Sequence, residues 1–310
     1  MYNRRNFLRN SGAMALGGLL LSKNANAFLF DQKMKHAAGL QLFTLFSSFD
    51  KDVPGNLKKI HDVGYLEIES AFSMKGGFYG MKPKEFAAMV KGNGMSWQSH
   101  HVLGTPFKMP PGGLKMPGGT DTARKFTMPP MRNLKENGQQ LIDEVAEGGA
   151  SYLVCASISH GTTDEIKEAV DVFNKTGEAC KKAGLTFCYH NHTTEFVKVD
   201  GQLPYDIFLS QTSPDLVKFE LDLGWATKAG VDPVELFKKN PGRFPLWHVK
   251  DLDKTTQQPT EIGTGTVNLK RIFDNAGSSG MKHFFVEQDG APKPFENIAT
   301  SFTNLGKIVA

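Results

Sequence analysis

The chain has 310 residues, of which 40% are hydrophobic, 10% aromatic and 22% charged, with 32 Gly and 16 Pro, which is the composition of an ordinary globular protein and excludes disorder, collagen and coiled coil. The formal charge of +4 comes from the first 27 residues, which hold Arg4, Arg5, Arg9 and Lys23 and no acid. Removing those four of the 36 basic residues leaves 32 against 32 acidic ones, so no global field attracts nucleic acid or an anionic membrane.

In chain order, the basic start is followed by the apolar run Ala13 to Leu21 and by Ala25-Asn26-Ala27, a small-x-small cleavage pattern. The run is too short to span a bilayer. Arg4-Arg5-Asn6-Phe7-Leu8-Arg9 resembles the twin-arginine export signal. The expectation is a signal peptide over 1–27, a single mature domain over 28–310, and a periplasmic or otherwise exported destination with no membrane attachment after signal removal. That route carries folded proteins, often after cofactor loading, which fits a metal inserted before export.

From residue 38 onward, short β-branched or aromatic runs alternate with segments of helical period, the mark of βα units and a parallel sheet. The strands are read over Ala38 to Thr44, Tyr65 to Ser70, Ser96 to Val102, Ser151 to Ser157, Leu185 to His192, Val217 to Leu223, Pro245 to Lys250 and His283 to Gln288. Helices follow near Asn56 to Val63, Lys84 to Asn93, Arg132 to Glu147, Asp164 to Ala183, Tyr205 to Gln211, Pro233 to Lys239, Leu269 to Ala276 and Phe295 to Lys307. Gly64, Gly94 and Gly184 stand where helix C-caps are expected, and Asp232-Pro233 reads as an N-cap with proline in the first turn. Eight such units predict a closed (β/α)8 TIM barrel in one α/β domain. The alternative, an open doubly wound sheet, lacks a Gly-x-Gly-x-x-Gly after the first strand.

One stretch breaks the rhythm. Gly104 to Met131 mixes six prolines with four methionines and Gly pairs, which forbids helix or strand and reads as a lid or substrate wall after the third strand. Cys155, Cys180 and Cys188 form no paired framework and read as buried small hydrophobes. A bridge between Cys155 and Cys188, on neighbouring strands, is the one pairing left open.

Acids and histidines gather at the C-terminal strand ends: Glu67 and Glu69, His100 and His101, His190 and His192, Glu220 and Asp222, His248 and Lys250, Glu287 and Asp289. Residues two apart share a face, so these pairs converge on the barrel mouth. Each alone has a plain structural explanation, such as a hydrogen-bonded core histidine or an aspartate shaping a turn at Asp222-Leu223-Gly224. Successive strands ending this way are better explained by one divalent cation, whose binding offsets the cost of burying the charges. Mixed carboxylate and imidazole donors suit manganese, zinc, iron or cobalt without choosing among them.

Tyr189-His190-Asn191-His192-Thr193-Thr194-Glu195-Phe196, Glu220-Leu221-Asp222-Leu223-Gly224-Trp225, His248-Val249-Lys250-Asp251, Gly263-Thr264-Gly265 and Glu287 together resemble the xylose-isomerase-like barrels of sugar-phosphate isomerases and epimerases. In that family an acid on strand five, Asp on six, His on seven and Glu on eight hold the metal. The resemblance implies Asp222, His248 and Glu287 as ligands. The fifth-strand position departs from it, and His190 becomes the fourth ligand, with His192 or Glu195 as alternatives. By the same resemblance Glu69 and His101 bind substrate, and Trp225 stacks on a sugar face or serves as packing.

The chemistry implied is removal of a proton next to a carbonyl, with the developing enediolate stabilised by the cation. Glu287 is one base; the second carboxylate of family epimerases is replaced by His190. Elimination β to the carbonyl starts with the same step, with His192, Glu195 or Lys250 as acid or base, unless Lys250 is only a charge partner of Asp251 or Glu220. The primary expectation is a metal-dependent sugar isomerase or epimerase, and the alternative a lyase or dehydratase acting on keto-sugars or 3-keto-glycosides. Apurinic endonuclease activity and non-catalytic sugar binding rank lower. The expected partner is a small carbohydrate, with no nucleic acid, and homo-oligomerisation is left open.

Overall fold

A computed structural model describes residues 36–107 and 131–309; the expected signal peptide and most of the Pro/Met-rich stretch lie outside them. Eight parallel strands close into a barrel: β1 Ala38–Gln41, β2 Glu67–Ser70, β3 Ser96–Leu103, β4 Tyr152–Ser157, β5 Thr186–His190, β6 Val217–Asp222, β7 Leu246–Val249 and β8 His283–Val286. Each pairs with its sequence neighbours, and β8 returns to β1 through Ala38 opposite Phe284. This is the expected (β/α)8 TIM barrel in one domain, with helices between the strands.

The connecting helices form because their apolar residues recur on one face. The longest, Thr163–Lys182, buries Ile166, Ala169, Val170, Phe173 and Cys180, is capped by the Thr162 side chain on the Glu165 N–H, and ends on Lys181 and Lys182. Gly64, Gly94 and Gly184 follow their helices at φ +122°, +79° and +78°, and Asp232 accepts the Val234 N–H ahead of Pro233, as the sequence signals required.

Strand alternation separates two cores. Residues facing outward, such as Leu153, Phe187, Tyr189, Trp247 and Phe284, join one large core. Tyr152, Val154, Cys188, Leu246 and Phe285 form a separate apolar plug inside the barrel. Gly39 belongs to this layer because a Cβ there would collide with the Phe285 ring. Two residues further along the same strands stand His190, His248 and Glu287, so the plug is the floor on which the polar cluster rests. Cys155 and Cys188 fall on opposite faces, Cys155 outward and Cys188 inward, and all three cysteines are free. The bridge left open in the sequence is therefore not formed.

Several strands end short of expectation, among them β5 at His190, β7 at Val249 and β8 at Val286, and the ends of β1 and β6 have a local cause. β1 stops at Gln41 rather than Thr44 because the Gln41 side chain accepts the Phe43 N–H and turns the chain into a 3-10 turn over Leu42–Leu45. β6 runs straight into a short helix, Leu223–Lys228, whose N-cap is Asp222 accepting the Trp225 N–H at 2.8 Å. Asp251, beyond β7, is buried and accepts the N–H groups of Gly263, Gly265 and Val267. A side chain at Gly265 would collide with that carboxylate, which explains the Gly263-Thr264-Gly265 motif.

Candidate metal and acid–base centre

Strand ends β1 to β3 and β5 to β8 bring one continuous cluster to the C-terminal mouth. His248 lies at its centre: Nε2 is 2.5 Å from Glu69 Oε1 and 3.1 Å from Glu220 Oε2, and Nδ1 is 2.9 Å from Glu287 Oε2 and 3.9 Å from Asp222 Oδ2. Glu220 Oε2 also meets His101 Nε2 at 2.7 Å and His190 Nδ1 at 3.0 Å. Above these, Lys250 Nζ is 2.8 Å from both Asp222 Oδ2 and Glu287 Oε2 and 2.5 Å from Asp289 Oδ2. Glu69, Glu220, Asp222, His248 and Lys250 are fully buried.

Burial penalises charge throughout the cluster, and the neighbours decide which groups keep it. For Glu69 burial opposes ionisation, but the His101 and His248 charges outweigh it and hold the carboxyl well below its usual range. Burial likewise opposes the charge on His101, which Glu69 and Glu220 nonetheless lift to about 9. Against burial, Glu220, Glu287 and Glu69 push His248 well above its ordinary value, and Asp222, Asp289 and Glu287 do the same for Lys250. Against burial again, Lys250 and His248 hold Glu287 low. Burial raises Asp222; burial and the Glu69 charge raise Glu220. Burial, reinforced by the neighbouring imidazoles, drives His190 well below its ordinary range.

The four ligands implied by the sequence resemblance, His190, Asp222, His248 and Glu287, present ligand atoms all within 4.8 Å of one another. So does a second set, His101, His190, Glu220 and His248. The donor chemistry fits a divalent ion of the manganese-to-zinc range, and the buried, unpartnered Glu220 Oε1 adds acceptor capacity. His248 also has the form of a supported ligand, since either ring nitrogen can face an ion while the other meets a carboxylate.

Other expected site residues fall elsewhere. Glu195 does not enter the cluster: its oxygens accept Tyr189 Oη at 2.6 Å and the His192 N–H at 3.0 Å, fastening the loop after β5 to the outward face of that strand. His192 stands at the rim, partly buried, its ring 4.9 Å from His190. Glu69 is not an open sugar-binding acid; Gln41 Nε2 donates to it at 2.7 Å and Ser99 Oγ at 2.5 Å, beneath the imidazoles. His101 turns Nε2 down toward Glu69 and Glu220, and its neighbour His100 faces outward against Phe78. Lys250 pairs with neither Asp251 nor Glu220. The Trp225 ring lies 4.4 Å from Lys250 Nζ, so its indole covers the lysine.

The sequence places Glu220 and Asp289 among the strand-end acids, Glu220 only as a charge partner of Lys250 and Asp289 without a role, and assigns no role to Gln41 or Ser99. The inward face of Glu220 was findable, since it lies two residues before Asp222 on the same strand; its histidine partners were not. Gln41 and Ser99 carry no ligand chemistry and gave no signal.

Comparison with known proteins agrees with this architecture. Residues 57–304 match the family model described as xylose isomerase-like TIM barrel. A solved sugar phosphate isomerase/epimerase from Parabacteroides distasonis ATCC 8503 is 30% identical with a TM-score of 0.70, covering 88% of this chain and 96% of that one. The inosose dehydratase of Geobacillus kaustophilus is 30% identical over 96 residues, 31% of this chain and 30% of that protein. The inosose dehydratase of Clostridium beijerinckii is 26% identical over 171 residues, 48% of this chain and 57% of that one. The chain thus matches about a third to just over half the length of these curated relatives. By the reach of the family match and the closed eight-stranded barrel, the chain belongs to the xylose isomerase-like TIM barrel family.

Proposed function

We propose that the chain is a divalent-metal-dependent carbon–oxygen lyase that removes water or an alcohol β to the carbonyl of a keto-sugar or keto-glycoside. The observation that carries this reading is the buried contact of Lys250 Nζ with Glu287 Oε2 at 2.8 Å, which sets a proton acceptor beside a proton donor at the barrel mouth. Glu287 takes the proton next to the carbonyl. The electron pair left behind forms the C=C bond as the C–O bond at the β carbon breaks, and a Lys250 N–H protonates the departing oxygen. His190 and His248 with their neighbouring acids would hold a divalent ion, which when bound would supply positive charge to the carbonyl oxygen.

An epimerase needs a second base on the opposite face of the substrate. On the fifth strand that place is taken by His190, whose Nδ1 faces Glu220. Isomerase or epimerase action remains the second reading, supported by the 30% identity to the Parabacteroides protein over nearly its whole length. An export signal over residues 1–27 favours free keto-sugars or glycosides over sugar phosphates. The test is a panel of keto-inositols, free ketoses and 3-keto-glycosides incubated with metal-loaded protein and followed by NMR. An unsaturated ketone with released water or alcohol supports the lyase. Inverted or isomerised sugar without elimination transfers the assignment to the second reading, and turnover of sugar phosphates alone overturns the substrate class.

A further inference from the structure

We infer that the ion of this chain sits in the inner of the two overlapping ligand sets, His101, His190, Glu220 and His248, while Lys250 occupies the outer carboxylates Asp222 and Glu287. The inference rests on the metal-dependent reading above and departs from the ligand set that the sequence resemblance implies. The two sets share His190 and His248, and they differ in which nitrogen of His248 meets the ion. Nε2 faces Glu220, and Nδ1 faces Glu287 and Asp222.

The outer set already has a cation. Lys250 Nζ bridges Asp222 Oδ2 and Glu287 Oε2 at 2.8 Å each and reaches Asp289 at 2.5 Å. Its stem is built in, because Gly224 leaves the room that Lys250 Cβ and Cγ use and Trp225 lies over the ammonium. A divalent ion between the same two carboxylates would stand at contact distance from that ammonium, and the buried lysine would have to leave its three acids.

The inner set asks for a cation. Glu220 Oε2 faces three imidazole nitrogens at 2.7, 3.0 and 3.1 Å, whereas one carboxylate oxygen has two lone pairs and cannot serve three donors well. An ion shared by these four atoms satisfies all of them. Ligand atoms around a tetrahedral ion stand roughly 3.4 Å apart, so the knot opens by a few tenths of an ångström to take one. Among the described residues Glu220 pairs with histidines and with no lysine or arginine. Glu69 lies 2.5 Å from His248 Nε2 and 3.2 Å from His101 Nε2; nitrogens bound to an ion carry no proton for it, so in the loaded site Glu69 keeps only its bonds from Gln41 and Ser99. The outer residues Asp222, Glu287 and Lys250 are then left to face substrate.

X-ray absorption on the zinc-loaded full chain counts imidazole ligands directly. The inner set predicts three imidazoles and one carboxylate; two imidazoles and two carboxylates would overturn the inference. Competition with a chromophoric chelator supplies the second arm. His101→Asn is expected to weaken zinc binding at least about tenfold, and Asp222→Asn to change it less than threefold. The reverse order contradicts the inner site, and because the wild-type ligand count needs no variant, misfolding of His101→Asn cannot protect it. Failure of the wild-type chain to bind zinc, manganese, iron or cobalt would instead contradict the metal-dependent reading itself.

Discussion

Glu67 and Glu69 stand two residues apart on one strand and face the same interior, yet they end in different chemistry. At the N-terminal end of the barrel, Glu67 meets His283 of β8 at 2.8 Å and Gln98 at 3.1 Å, and the Glu67 and His283 side chains keep 10% and 23% exposure. At the C-terminal end, Glu69 is closed from water and shares His101 and His248 with Glu220, while Asp222 and Glu287 share Lys250. One acid with one histidine at the edge of the barrel is a completed hydrogen-bonded pair. Several acids among three imidazoles and an ammonium, sealed in the barrel, form an arrangement that an ion or a substrate can still complete. The apolar plug of Tyr152, Val154, Cys188, Leu246 and Phe285 separates the two.

That contrast can be broken from either end. The largest effect is expected from Glu287→Gln, which removes the proton acceptor and leaves Lys250 with Asp222 and Asp289; turnover should fall by about a thousandfold, as measured with whichever keto-substrate the wild-type chain accepts. Glu220→Gln leaves three buried imidazoles without their common carboxylate and should destabilise the metal-free protein by about 3–5 kcal/mol, read from denaturant unfolding. Gly39→Ala presses a methyl onto Phe285 in the layer between the two ends and should cost about 1–3 kcal/mol, by the same measurement. The smallest effect belongs to the finished pair. Glu67→Gln should cost below about 1 kcal/mol and leave turnover unchanged; a loss of activity there would mean that the two ends are coupled.

The barrel was legible because period-two strands and period-3.6 helices are local properties, and capping residues such as Gly64, Asp232 and Gly184 mark the boundaries on the spot. Asp222, His190, His248 and Glu287 were legible as a convergent group because alternation within each strand settles which residues look inward. What was not legible depends on closure of the barrel. Glu220 and His101 are 119 residues apart, and only the register of the closed sheet sets them 2.7 Å from each other. Glu195 has the residue type of a ligand, and the outward Tyr189 hydroxyl claims it instead. Lys250 was read against Asp251 and Glu220, near in sequence, whereas its partners are Asp222, Glu287 and Asp289 on the neighbouring strand ends. Asp251 had already been taken by the backbone of the Gly263–Val267 turn.

In the proposed reaction, proton abstraction next to a carbonyl belongs to the C-terminal cluster and to Glu287 within it. The most direct test is deuterium incorporation from D2O into a keto-glycoside or keto-inositol, followed by NMR for the wild-type chain, Glu287→Gln and Glu67→Gln, each loaded with the same metal. Exchange next to the carbonyl is expected in the wild-type and Glu67→Gln proteins and none above background in Glu287→Gln. Exchange that survives in Glu287→Gln would contradict that role of Glu287.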